Sequence, residues 1–193
     1  MRILTALAAL ALTAAPVLAG EVNIRPDVAS VTVPTADGPV EISRIQDTEN
    51  MVTGEWAKTS RPCPNFCIQP MSPAEGVTTI GELEMMAMLQ DPEAIVVDSR
   101  AGGLYEAGHI PGAISIPYTE APDRLDELGC EIDFDGFVCD EAKPVALYCN
   151  GSWCGQSPTA IRRMIKAGYP AEMIYYYRGG MQAWRVLGLT VTE

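Results

Sequence analysis

A single histidine, His109, stands in the whole chain, and nowhere do two cysteines fall in a C-x2-C spacing. A zinc site, which gathers four closely spaced nitrogen or sulfur ligands, is therefore a poor expectation. Positive charge is scarce as well: 13 Lys and Arg face 25 Asp and Glu, a formal net charge of −12 over 193 residues. That balance argues against nucleic acid or an anionic membrane surface as a partner. It leaves a small anionic substrate open, because a local field can oppose the global one. Past residue 20 no apolar run approaches the roughly 20 residues of a membrane-spanning helix, so no membrane anchor is expected in the mature chain. The regular carboxylate spacing of a calcium loop is missing too, even in the acidic stretch 120–143. No metal site and no cofactor are expected.

What is present begins with an export signature. Arg2 is followed by an apolar run from Ile3 to Ala15, and then by Val17-Leu18-Ala19. A short basic start, a run too short to span a bilayer and small residues at its end predict a signal peptide over 1–19, cut after Ala19. No cysteine follows the cut, so a lipoprotein anchor is not expected. The brevity of the segment favours a bacterial periplasm. Hydrophobic residues make up 48% of the chain, enough for one compact domain with an extension.

Export changes how the six cysteines are read. They fall as three close pairs: Cys63 and Cys67, Cys130 and Cys139, Cys149 and Cys154. In an oxidising compartment the first two pairs are candidates for structural disulfides. Closing the loop between Cys130 and Cys139 would contribute about 2–3 kcal/mol on the chain-entropy account.

Residues 20–75 read as an extension with weak structure of its own. Residues 29–33 and 40–45 alternate, and Pro34 to Pro39 with Asp37-Gly38 between them signals a turn, so a β-hairpin is predicted. The proline-rich segment 61–70 cannot form a regular helix. Its C-x3-C, Cys63 and Cys67, is either a redox or copper-binding pair or, the preferred reading, a local clip.

From Gly76 the pattern alternates strand and helix. A helix is predicted over 79–89 from Ile80, Leu83, Met86 and Leu89 at helical spacing. Its methionines Met85, Met86 and Met88 read as core packing rather than copper ligands. A buried strand over 94–97 runs into Asp98-Ser99-Arg100. A tight loop, Gly108-His109-Ile110-Pro111-Gly112-Ala113, leads to a strand over 114–116. The acidic stretch 120–143 reads as a solvated loop flanking a helical turn, pinned by Cys130–Cys139. A strand over 145–149 follows, and Ser157 as N-cap with Pro158 as first helical residue predicts a helix over 158–167, ended by Gly168. A strand over 173–177, a turn at Arg178-Gly179-Gly180 and a helix over 181–187 bearing Trp184 complete the chain. Alternating strands and helices predict a parallel sheet covered on both faces.

Between the strand ending at Cys149 and the next helix lies the loop Asn150-Gly151-Ser152-Trp153-Cys154-Gly155-Gln156. A thiol facing free backbone N–H groups and the positive end of a helix is well placed to be held as a thiolate. That arrangement points to sulfur chemistry.

Val96-Val97-Asp98-Ser99-Arg100, Tyr105 and residues 108–113, then Tyr148-Cys149, then Gly179-Gly180 with Trp184, together resemble the ordered landmarks of rhodanese-like domains. The resemblance covers about residues 76–191, within a domain placed at 76–193. It implies an α/β fold with a five-stranded parallel sheet and helices on both faces, here with a small N-terminal β-hairpin extension. It also implies a cysteine, Cys149 by position, that accepts sulfane sulfur from a donor such as thiosulfate and passes it from a persulfide to a thiophilic acceptor. The partners implied are a small sulfur-containing anion and a thiol or protein sulfur acceptor. By the same resemblance the amides from Asn150 to Gln156 form the anion-cradling loop. Arg100 is either a donor-binding residue or one half of an ion pair with Asp98. His109 reads as a turn-stabilising residue.

Two departures from the family pattern stand out. The loop after Cys149 carries no basic residue and is longer than in many members. Position 155 is Gly, so the C-x5-R of phosphatase and arsenate-reductase relatives is missing, which argues against dephosphorylation. The loop also holds Cys154, which could form a disulfide with Cys149, act as a resolving thiol against its persulfide, or be a bystander. Two functions follow. One is an exported sulfurtransferase. The other is a non-turnover sulfur carrier, thiol–disulfide or Cu(I)-handling module that uses Cys149 and Cys154.

Overall fold

The computed structural model of the protein describes residues 21–193, and the predicted signal segment 1–19 lies outside the described residues. In chain order the strands are β1 (Ser30–Val33), β2 (Val40–Ser43), β3 (Thr78–Ile80), β4 (Ile95–Asp98), β5 (Ile114–Ser115), β6 (Glu131–Asp133), β7 (Gly136–Val138), β8 (Val145–Tyr148) and β9 (Ile174–Tyr177). The helices are α1 (Glu82–Gln90), α2 (Gln156–Lys166) and α3 (Gly180–Val186). Five strands lie side by side in the order β3-β9-β8-β4-β5, and every neighbouring pair is parallel. The fold is thus the expected five-stranded parallel sheet, with the hairpin β1–β2 beside it.

The sheet is central because its middle strand has no polar face. All four residues of β8 are buried, with alternate side chains serving two cores. Val145 and Leu147 point toward Ala160, Ile161 and Met164 of α2. Ala146 and Tyr148 point the other way, toward Met85, Met86 and Leu89 of α1 and Met181 and Trp184 of α3. A parallel sheet buried on both faces places the ends of its strands, rather than its faces, within reach of substrate.

Local predictions moved in four places. Thr78, Thr79 and Ile80 are taken by strand β3, so the helix predicted over 79–89 begins only at Glu82. Two β-branched threonines before an isoleucine favour the extended chain there. Ile80 meets the core from a strand while Leu83 is exposed, so their helical spacing was coincidental. Helix α2 begins at Gln156 with Gly155 as its N-cap, which places Ser157 and Pro158 inside the first turn. Proline is tolerated there because first-turn N–H groups have no partner within the helix. The acidic stretch contains two single helical turns and the hairpin β6–β7, bridged by a disulfide from Cys130 to Cys139.

The fourth change concerns the extension. Its hairpin is no separate unit: Val33 and Ile42 are fully buried in the core that holds α1 and α3. Ile45 N–H and Gly188 O, with Thr190 N–H and Ser43 O, tie β2 and the residues after it to the C-terminal segment. Among the described residues no helix is long and apolar enough to cross a membrane.

Candidate active site

Two neighbouring strands end side by side, since Asp98 of β4 is in register with Tyr148 of β8. The two ends are built differently. At the end of β4, Asp98 accepts the backbone N–H of Arg100 at 3.0 Å, its Nε–H at 2.9 Å, and the Tyr148 hydroxyl at 2.9 Å. The Tyr148 hydroxyl in turn accepts the Ile110 N–H at 3.1 Å, and Arg100 also donates to Gly108 O. Burial works against the Arg100 charge, but pairing with Asp98 outweighs it and holds the guanidinium above its ordinary pKa. Of the two readings of Arg100, the ion pair with Asp98 is the one that forms, in place of the donor-binding role: the side chain is 1% exposed, and its Nε and Nη2 are taken up by Asp98 and Gly108 O. His109 stacks on Tyr105 with ring centroids 3.8 Å apart and bonds through Nδ1 to Tyr105 O, which holds the turn.

At the end of β8 the chain turns tightly instead. The Cys154 N–H donates to Gly151 O at 2.9 Å, closing the loop on itself. The amides at the start of α3 clamp the other side: Met181 N–H to Cys149 O at 3.0 Å and Gln182 N–H to Asn150 O at 2.9 Å. That approach requires Gly180, whose φ is +55° and where a Cβ would fall 2.3 Å from Cys149 O. Gly179-Gly180 is thus legible as a close-packing element.

Both loop thiols are free and buried. The Ser157 hydroxyl, freed from capping, donates to Cys149 Sγ at 3.1 Å, and Cys149 Sγ faces Cys154 O at 3.2 Å. Cys154 Sγ lies 3.8 Å from Asn150 Nδ2 and 3.7 Å from Gln156 Oε1. Burial pushes the Cys149 thiol well above its ordinary pKa, and the adjoining Cys154 pushes the same way. The hydrogen bond from Cys149, helped by the N–H groups of Gln156 and Asn150, lowers Cys154 to about 6. The two thiols share one enclosure, so burial disfavours ionising both at once. The expectation that Cys149 itself is the ready thiolate is corrected here, because helix-end amides are outweighed by complete desolvation. A third buried group stands nearby: the Tyr176 hydroxyl has no hydrogen-bond partner and feels both sulfurs.

The extension closes over this loop. Gln69 N–H donates to Ser152 O at 2.9 Å, and Arg178 donates to Gln69 O at 3.0 Å. Trp153 is held between Phe66, edge-on at 5.4 Å, and the Arg61 guanidinium at 3.9 Å from the ring centroid. Gln182 links Trp153 to Trp56 O. A disulfide joins Cys63 and Cys67 within the closing segment. Beneath it opens a cleft of about 430 Å³, walled by Pro64, Asn65 and Phe66 on one side and by Asn150, Cys154 and Gln156 on the other. No Lys or Arg lines it. Of the proposed loop residues, Gly155 caps α2, Gly151 and Ser152 hold the turn and the extension, and Trp153 anchors the cover. The roles of Arg61, Phe66 and Gln69 were invisible in sequence, since their partners lie more than 80 positions away.

The rhodanese-like domain family matches residues 83–186, more than half of the chain. The HTH-type transcriptional regulator Rv0324 of Mycobacterium tuberculosis is 35% identical over 122 residues, 63% of this chain and 46% of that protein. The tRNA uridine(34) hydroxylase of Erwinia tasmaniensis is 36% identical over 98 residues, 51% of this chain and 25% of that one. The thiosulfate:glutathione sulfurtransferase of Saccharomyces cerevisiae is 30% identical over 97 residues, 49% of this chain and 66% of that one. The chain therefore spans less than half the length of the first two. Among solved structures, a rhodanese-related protein of Thermoplasma volcanium aligns with a TM-score of 0.44 at 23% identity, covering 60% of this chain and 97% of that one. With the family pattern running from α1 to the last residue of α3 and the cysteine-bearing loop inside it, this chain belongs to the rhodanese-like domain family.

Proposed function

We propose that the protein is an exported sulfurtransferase that takes sulfane sulfur from a donor such as thiosulfate, carries it as a Cys149 persulfide and delivers it to a thiophilic acceptor. The observation that carries this reading is the thiol pair at the end of β8. There Cys149 meets the hydroxyl and N–H of Ser157, donors suited to an anionic sulfur. A relative bearing the name thiosulfate:glutathione sulfurtransferase supports the same chemistry. In the reaction a cysteine thiolate attacks the outer sulfur of thiosulfate, the S–S bond breaks and sulfite leaves. An acceptor such as cyanide then takes the outer sulfur as thiocyanate and returns the thiolate. Export is supported by the 1–19 segment and by two disulfides among the six cysteines.

The test is intact mass after incubating reduced protein with thiosulfate. One added sulfur, removed by cyanide, is expected, and peptide mapping should place it on Cys149. A wild type that gains no cyanide-labile sulfur would sink the proposal. For export, the periplasmic fraction should contain a chain beginning at Gly20; a full-length cytoplasmic chain would refute that half. The second reading, a thiol–disulfide or sulfur-carrier module without turnover, is favoured by one observation: the cleft lacks a cation. It predicts a stoichiometric persulfide or a readily reduced Cys149–Cys154 disulfide, with no multiple turnover.

A further inference from the structure

We infer that Cys154 is the thiol that meets the donor, and that it passes the sulfur inward to Cys149. The inference rests on the sulfurtransferase reading and adds a second catalytic thiol to it. Its basis is which of the two residues the cleft reaches. Cys154 forms part of the cleft wall, together with Asn150 and Gln156, whereas Cys149 does not. Cys149 lies behind it, enclosed by the Ser157 hydroxyl at 3.1 Å and by the carbonyl of Cys154 itself at 3.2 Å. A donor reaching Cys149 directly would have to displace the loop, which is clamped by α3 on one side and by Gln69 on the other. A donor reaching Cys154 needs only the open cleft.

The two acidities support the same order. The thiol at the cleft, Cys154, is held below its ordinary pKa, and the enclosed Cys149 is pushed above its own by burial. Attack by Cys154 on the outer sulfur of the donor forms a Cys154–S–S⁻ persulfide and expels sulfite when the donor is thiosulfate. Cys149 then attacks the outer sulfur of that persulfide. The bond between the two persulfide sulfurs breaks, Cys154 leaves, and the Cys149 proton moves to it. The products are a Cys149 persulfide anion and a Cys154 thiol, and no oxidant or reductant is consumed. Cys154 suits both parts, since a thiol with a lowered pKa is ionised for attack and is also the faster leaving group. The receiving position offers the Ser157 hydroxyl and N–H, and the unpartnered Tyr176 hydroxyl stands near.

Single turnover with thiosulfate, followed by intact mass and peptide mapping, separates the thiols. Cys149→Ser should gain one sulfur that maps to Cys154, at a rate within about threefold of wild type, whereas in the unaltered protein the sulfur should come to rest on Cys149. Cys154→Ser should load at least a hundredfold more slowly. A Cys149→Ser protein that stays unloaded while Cys154→Ser loads at the wild-type rate would overturn the relay and leave the sulfurtransferase reading intact. A wild type that takes up no sulfur would overturn both. Because a variant can misfold, the unaltered protein supplies a second measurement. Substoichiometric iodoacetamide at pH 6.5 should label Cys154 at least tenfold over Cys149, and preferential labelling of Cys149 would overturn the assignment.

Discussion

The ends of β4 and β8 lie side by side in the same sheet, yet they handle a buried reactive group in opposite ways. At β4 the buried charges are paired: Asp98, Arg100 and Tyr148 bond to one another and to the loop that begins at Gly108. Such a closed network is rigid and has nothing left to offer a substrate. At β8 two thiols share one enclosure, and one of them opens on a cleft. The difference separates an ion pair that shapes the domain from a thiol pair that can react. Charge alone was a poor guide to which strand end is the working one.

The comparison can be broken most severely at β4. Asp98→Ala would leave the Arg100 guanidinium uncompensated in the core and should destabilise the fold by about 3–5 kcal/mol in urea unfolding. Cys149→Ser in the same assay should cost only about 1 kcal/mol, since a hydroxyl can keep the hydrogen bonds. Equal losses would mean that both ends are structural. At β8, Gly180→Ala forces a side chain against Cys149 O and Gly151 N. Moving the loop by even a fraction of an ångström should slow single-turnover sulfur loading by about a hundredfold. A loading rate unchanged from wild type would show that the loop geometry is irrelevant. The last test sharpens rather than breaks the contrast. The attacking form is the thiolate, so loading should rise tenfold per pH unit up to about 6, the lowered value at Cys154, and level off above it. An ordinary thiol, with a pKa of about 8.5, would instead keep gaining to pH 8.

Much of the scaffold was legible because the sheet is buried on both faces. Apolar runs such as residues 94–97 and 145–148 have few other places to go. Strand β3 was not legible, since Thr-Thr-Ile precedes a helix whose spacing runs smoothly into it. The thiol loop was visible as a motif, but its acidity was not. Helix-end position argues for a lowered pKa at Cys149, and burial, which no spacing records, reverses it together with the adjoining Cys154. Ser157 read as a cap because Ser-Pro commonly begins a helix; a start two residues earlier made it a partner of Cys149 instead. The cover formed by Arg61, Phe66 and Gln69 depends on distant pairings and left no local pattern.

The bond from Gln69 N–H to Ser152 O bears on how the chain can be divided. The family pattern begins at residue 83, which invites an expression boundary near residue 75. Cutting there would remove Val33 and Ile42 from the core around α1, and would leave Trp153 and the Ser152 carbonyl facing water. The piece so obtained would keep every landmark of a rhodanese-like domain and lose one wall of its own cleft. Swapping this domain into another protein would therefore require transplanting the extension with it, as a single cassette.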